Sequence, residues 1–122
     1  MKRLIEITNK DEYINLFKIA REEIAKHYED KDASHADYVR KQDFQYTYIK
    51  TFKENKKEYV LIDSGNDWCA LFVDKKLQFV EYMYEVEFST YSADTKSVII
   101  VGHEQVLVYS LLTKKFFKDY TR

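Results

Sequence analysis

Along the first quarter of the chain apolar residues recur at steps of three and four, and from residue 44 onward they recur at every second position. In TNKDEYINLFKIAREEIAKHYE, residues 8–29, Tyr13, Leu16, Phe17, Ala20, Ile24 and Tyr28 fall on one helical face. Thr8 or Asn9 is placed to cap this helix, Asn9-Lys10-Asp11-Glu12 has capping-box spacing, and Glu22–Lys26 supplies an i,i+4 pair. Before it, KRLIEI (2–7) alternates as a short strand or a lead-in to the helix. After it, EDKDASHADYVRKQ (29–42) is polar and weakly periodic, which predicts a loop with a helical turn near Ala36–Arg40.

In FQYTYIKTF, Phe44, Tyr46, Tyr48 and Phe52 share one side of a strand. Turn-forming clusters at 54–57, 64–66, 74–76, 93–96, 102–104 and 113–115 then divide the chain at about the ten-residue spacing of consecutive antiparallel strands. The exception is 77–92, read as one long strand or two joined by a bulge or bend. A turn over 54–57 sets Phe52 against Tyr59 and Lys53 against Glu58. A turn on Lys75-Lys76 sets Phe72 against Phe79, Leu71 against Val80, Cys69 against Tyr82 and Trp68 against Met83. The resulting expectation is a single α+β domain over 1–122, with one N-terminal amphipathic helix packed on a twisted antiparallel meander of about six or seven strands. SVIIVGHEQVLVYSLLTKK is similar to part of a propeller blade, but no repeat of it is present to close a propeller.

The stretch EYMYEVEF, 81–88, raises the functional question. Glu81, Glu85 and Glu87 hold odd positions, while Tyr82, Tyr84, Val86 and Phe88 hold even ones. The predicted register puts Cys69, Leu71, Val73, Val80, Tyr82, Tyr84, Val86 and Phe88 toward the helix. It leaves Trp68, Phe72, Phe79 and Met83 on the other face with the three glutamates, next to Asp67. Large apolar anchors ringed by carboxylates have the composition of a protein-binding hot spot. The competing expectation is that the 29–42 loop or the C-terminal FFKDY covers those aromatics and leaves only the glutamates wet.

Charge sharpens the picture. The net charge is −1, which gives no bulk attraction to nucleic acid, yet 61–95 holds seven carboxylates against Lys75 and Lys76. A partner with a basic surface is therefore favoured. Among 122 residues there are 11 Tyr, 8 Phe and one Trp, which suit both half-buried strands and interfaces. A single cysteine excludes an intrachain disulfide. No signal-peptide pattern and no run of about 18 apolar residues is present, so a cytoplasmic chain with no membrane partner is expected.

Candidate chemistry is sparse. Cys69 and His103 form the only conceivable thiol–base pair, but WCALFV reads as a buried strand and its cysteine as a small core residue. With two glycines there is no phosphate-cradling loop. His27, His35 and His103 lack metal-ligand spacing, and 30–41 imitates a calcium loop with His35 and Lys41 where glycine and glutamate are required. Glu85 and Glu87 share a strand face as a glycosidase-like pair would, but the sequence shows no sign of the cleft or the raised pKa such a pair needs, so a solvated strand face is expected. No catalytic site, metal or cofactor is expected.

The leading expectation is a non-catalytic bacterial protein-binding module. Its most specific form is an immunity protein that neutralises a cognate toxin, a nuclease, through the surface of Asp67, Trp68, Phe72, Phe79, Glu81, Met83, Glu85 and Glu87. One alternative is a small-ligand-binding protein or cavity enzyme of cone-barrel type, with Tyr46, Tyr48, His103 and Tyr109 as polar candidates. A third is a structural or regulatory homo-oligomeric subunit, a homodimer through an edge strand such as 106–112.

Overall fold

A computed structural model describes residues 4–65 and 67–120. Residues 2 and 3 of the predicted first strand and Asn66 of the predicted 64–66 turn lie outside the described residues. The chain forms β1 (Ile5–Ile7), α1 (Ile14–Glu29), α2 (Ala33–Arg40), β2 (Tyr48–Glu54), β3 (Lys57–Asp63), β4 (Trp68–Val73), β5 (Lys76–Tyr82), β6 (Val86–Ser92), β7 (Ser97–Gly102), β8 (Gln105–Ser110) and β9 (Phe116–Tyr120). The class is α+β, but the expected single sheet is two: an antiparallel sheet β1-β2-β3-β4-β5 and a second, β6-β7-β8-β9.

These elements stack in three layers. The helices pack on one face of the first sheet, where Leu16, Phe17, Ala20 and Ile24 meet Ile49, Ile62, Trp68, Ala70 and Phe72. The second sheet packs on the opposite face, where Leu61, Cys69, Leu71 and Phe79 meet Tyr91, Val98, Ile100, Leu107 and Tyr109. The middle strands β3 and β4 are thus buried on both faces. That is why YVLI and WCALFV read as unbroken apolar runs instead of alternating.

The helix prediction holds over its apolar face, with two differences at its ends. The chain enters through a 3₁₀ turn at Asp11–Tyr13, and Asn9 accepts only a long bond from the Asp11 N–H at 3.4 Å, so no capping box forms. Glu22 pairs with Arg40 at 3.1 and 2.9 Å rather than with Lys26, which lies 4.0 Å from Glu23. The segment 29–42 is more ordered than expected. Asp32 caps α2 by accepting from the His35 N–H at 3.1 Å, and Ala36 and Val39 enter the core.

Register decides the rest. Between β2 and β3, Phe52 faces Tyr59 and Lys53 faces Glu58 as expected, around a turn with Asn55 and Lys56 both at positive φ. Between β4 and β5 the turn is Asp74-Lys75, again with both residues at positive φ (47° and 68°), and a bulge follows at Leu71/Phe72. Trp68 therefore opposes Tyr82, Cys69 opposes Glu81, Ala70 opposes Val80 and Leu71 opposes Phe79, one residue away from the predicted pairs. A slip of one exchanges the two faces of a strand.

The 77–92 stretch is two strands in different sheets, joined by Met83, Tyr84 and Glu85. Lys50 of β2 donates to Ser89 of β6 at 2.8 Å, and Lys118 of β9 pairs with Glu81 of β5. So β6 lies over β2 and β9 over β5, and the three-residue linker crosses the end of the sandwich. Met83 plugs that end: its N–H bonds the Asp67 carbonyl at 2.9 Å, and its side chain fills the space a side chain at Gly102 would occupy.

Candidate functional site

The slip in register redistributes the predicted docking residues. Trp68 and Phe72 are fully buried beneath the helices, Met83 is fully buried in the sandwich, and Phe79 lies there against Tyr109 and Phe116. This corrects the expected outward face. α2 with its following turn covers Trp68, and β9 covers Phe79, so the competing expectation describes those aromatics better. Asp67 is buried too, accepting from Gln42 Nε2 at 2.9 Å and lying 3.1 Å from His35 Nε2. Glu81 turns into the sandwich edge beside Lys118.

Glu85 and Glu87 do stand in solvent, and they have aromatic neighbours drawn from the row predicted to point inward. Tyr82, Tyr84 and Phe88 are 43%, 41% and 55% exposed. The β7–β8 turn adds His103, whose N–H donates to the Tyr84 carbonyl at 3.1 Å and whose ring sits edge-on to Tyr84. Hydrogen bonding to Glu85 raises the Tyr84 phenol above its usual range, and the Glu85 and Glu104 charges push the same way. The linker, the start of β6 and the β7–β8 turn thus form one acidic, aromatic end surface.

A cleft of about 260 Å³ adjoins it, where β6 crosses the open side of β1 and β2; Glu6, Tyr48, Lys50, Asp63, Glu87 and Ser89 line it. Burial raises the Asp63 carboxyl above the usual range, outweighing the Gly65 N–H bond at 2.8 Å and the Lys50 charge, which both lower it. A raised folded value contributes stability below the ordinary carboxylate pKa, and that contribution is lost as pH rises through the raised value. Asp63→Asn keeps an acceptor for Gly65 and removes the buried charge. Urea unfolding is expected to find this variant more stable than the parent at pH 7, with a gap that shrinks toward about pH 4. A variant less stable at pH 7 counts against this account.

The other sequence candidates do not converge. Cys69 is buried between the sheets, and burial foremost, with Asp63 and Glu81 nearby, pushes its thiol far above the range of a nucleophile; His103 lies at the exposed turn. Tyr46 and Tyr48 are exposed, while Tyr109 is in the sandwich core, so they line no common chamber with His103. The space between helices and sheet is filled by Phe17, Trp68 and their neighbours, with ring centroids of those two 5.7 Å apart. The 106–112 run belongs mostly to β8, which pairs on both sides and is no edge.

Sequence reasoning missed Tyr82, Tyr84 and Phe88 as surface residues, and Glu6, Lys50 and Ser89 altogether. The parity at Trp68–Leu71 is set by the bulge at Leu71/Phe72, since the Asp74-Lys75 turn alone keeps the predicted parity, and a bulge leaves no mark in the alternation of WCALFV. Among the described residues, no group of three or more His, Cys, Asp or Glu is arranged to hold a metal, and no helix is long and apolar enough to cross a membrane. No family model, characterised protein or solved structure matches the chain.

Proposed function

We propose that this is a protein-binding module whose docking site is the acidic, aromatic end of the sandwich, and that its partner presents a basic surface. The observation that supports this reading is the coincidence of exposed Tyr82, Tyr84 and Phe88 with Glu85 and Glu87, while Glu6, Asp63 and Glu104 lie around them and Lys50 is the cation at the cleft. Rings supply contact area at low entropic cost, and carboxylates steer a cationic partner. The specific form is an immunity protein that blocks a bacterial toxin domain, a nuclease whose cleft is basic to hold its own polyanionic substrate.

The test is co-expression with the reading frame adjoining this protein's own. That frame alone should arrest growth, and this protein should restore it. Glu85→Lys with Glu87→Lys should slow association about tenfold or more at low salt, with a smaller effect at high salt. A harmless neighbour, or protection and binding unchanged by the double reversal, rejects the reading. The cleft favours a second reading, a small-ligand site, although about 260 Å³ is below the roughly 300–1,000 Å³ of such pockets.

A further inference from the structure

We propose that the outer face of the second sheet is a self-association surface, covered by the same face of a second copy of this chain. The strands say so first. SVIIVG and QVLVYS are apolar at consecutive positions, the pattern of strands buried on both faces, yet within one chain only their inner residues are covered. Val98, Ile100 and Leu107 face the sandwich and are fully buried. Ile99, Val101, Val106 and Val108 face away and remain partly exposed, flanked by Phe88 and Phe117 at 55% and 63% exposure.

Pairing arranges this face in two rungs, Phe88–Val101–Val106–Asp119 and Thr90–Ile99–Val108–Phe117. The two phenylalanines occupy one diagonal, Thr90 and Asp119 the other, and branched aliphatics form the trough between them. Turn a copy over about a two-fold axis in the sheet plane, along or across the strands. Each phenylalanine then lands on a Thr90 or Asp119 corner, and aliphatic meets aliphatic at the centre. The face is complementary to itself, as an isologous contact requires.

Charge points to the same occupant. Asp119 is the one charged side chain in the two rungs and sits at a corner, so a strongly basic or acidic partner finds nothing to match there. A net charge of −1 per chain leaves two copies little to repel each other. Size sets the strength. Four strands about 4.8 Å apart and about five residues long make a face of roughly 300 Å² in plan. Even with its ridges, two such faces fall near or below the roughly 1,200 Å² at which stable, specific interfaces begin. The association is therefore weak and reversible, not obligate.

Sedimentation velocity tests it, from about 1 µM to about 500 µM protein. The parent should pass from monomer to dimer within that range, and dimerisation should hold or tighten as salt rises, unlike the acidic docking site. Val101→Lys with Val108→Lys sets cations at the centre and should remain monomeric throughout, with parental circular dichroism. Phe88→Ser with Phe117→Ser, at two more exposed positions, should weaken association at least about tenfold. Glu85→Lys with Glu87→Lys should dimerise like the parent, which separates this surface from the carboxylates of the proposed docking site, although the two surfaces share Phe88 at their border. A parent that stays monomeric at about 500 µM overturns the proposal and leaves the face to a different protein. So does a dimer that survives both the valine and the phenylalanine substitutions, or one that only the glutamate reversal dissolves.

Discussion

Trp68→Ala is expected to destabilise the protein by about 4 kcal/mol in urea unfolding followed by circular dichroism, a large part of the roughly 5–15 kcal/mol a domain of this size possesses. The indole is fully buried, stacks on Phe17 at 5.7 Å and donates from Nε1 to Gln42 Oε1 at 2.6 Å. Truncation leaves a void between α1 and β4 that the sheet, packed on its other face as well, cannot close by moving. It also strands the Gln42 acceptor. Trp68→Phe separates these contributions, since it keeps most of the ring and loses the hydrogen bond; about 1–2 kcal/mol is expected. An alanine variant within about 1 kcal/mol of the parent contradicts this packing and revives an outward Trp68.

Asp67→Ala should cost about 2–3 kcal/mol, and by a different route. Its carboxylate ties α2 and the turn after it to the sheet: Gln42 Nε2 donates to it at 2.9 Å and His35 of α2 lies 3.1 Å away. Alanine leaves Gln42 and His35 without this partner in a half-dry pocket, whereas Asp67→Asn still offers an oxygen to Gln42 and should lose less. Amide exchange distinguishes this from a surface role. Protection should fall selectively in α2, residues 33–40, while β7 and β8 keep theirs. Equal loss of protection across the chain, or none, argues against the link.

Much of the architecture was legible because its signals are local. The 3.6-residue period of Leu16, Phe17, Ala20 and Ile24 marks α1, and Phe52 opposite Tyr59 marks the first hairpin. Most turn positions were legible too. The division into two sheets was not, because EYMYEVEF keeps its alternation on both sides of Met83, through a linker and a bulge, and nothing in a period of two reports a change of sheet. α2 was hidden by its polarity: only Ala36 and Val39 are buried, and its start rests on a single aspartate cap. The docking residues suffered most. Their pairing hung on the bulge at Leu71/Phe72, which sets Trp68 opposite Tyr82 instead of Met83; the helices then cover Trp68 and leave Tyr82 half exposed.

The order of strands within each sheet carries a kinetic meaning. In both sheets every strand lies beside its neighbour in the chain, and only the β1–β2 pairing must wait for the intervening helices. Hairpins of this kind close over short distances, and closure entropy grows slowly with loop length, so each sheet can zip from its own turns in microseconds. The two sheets meet across Met83, Tyr84 and Glu85, and a tether of three residues keeps their facing apolar surfaces at high effective concentration.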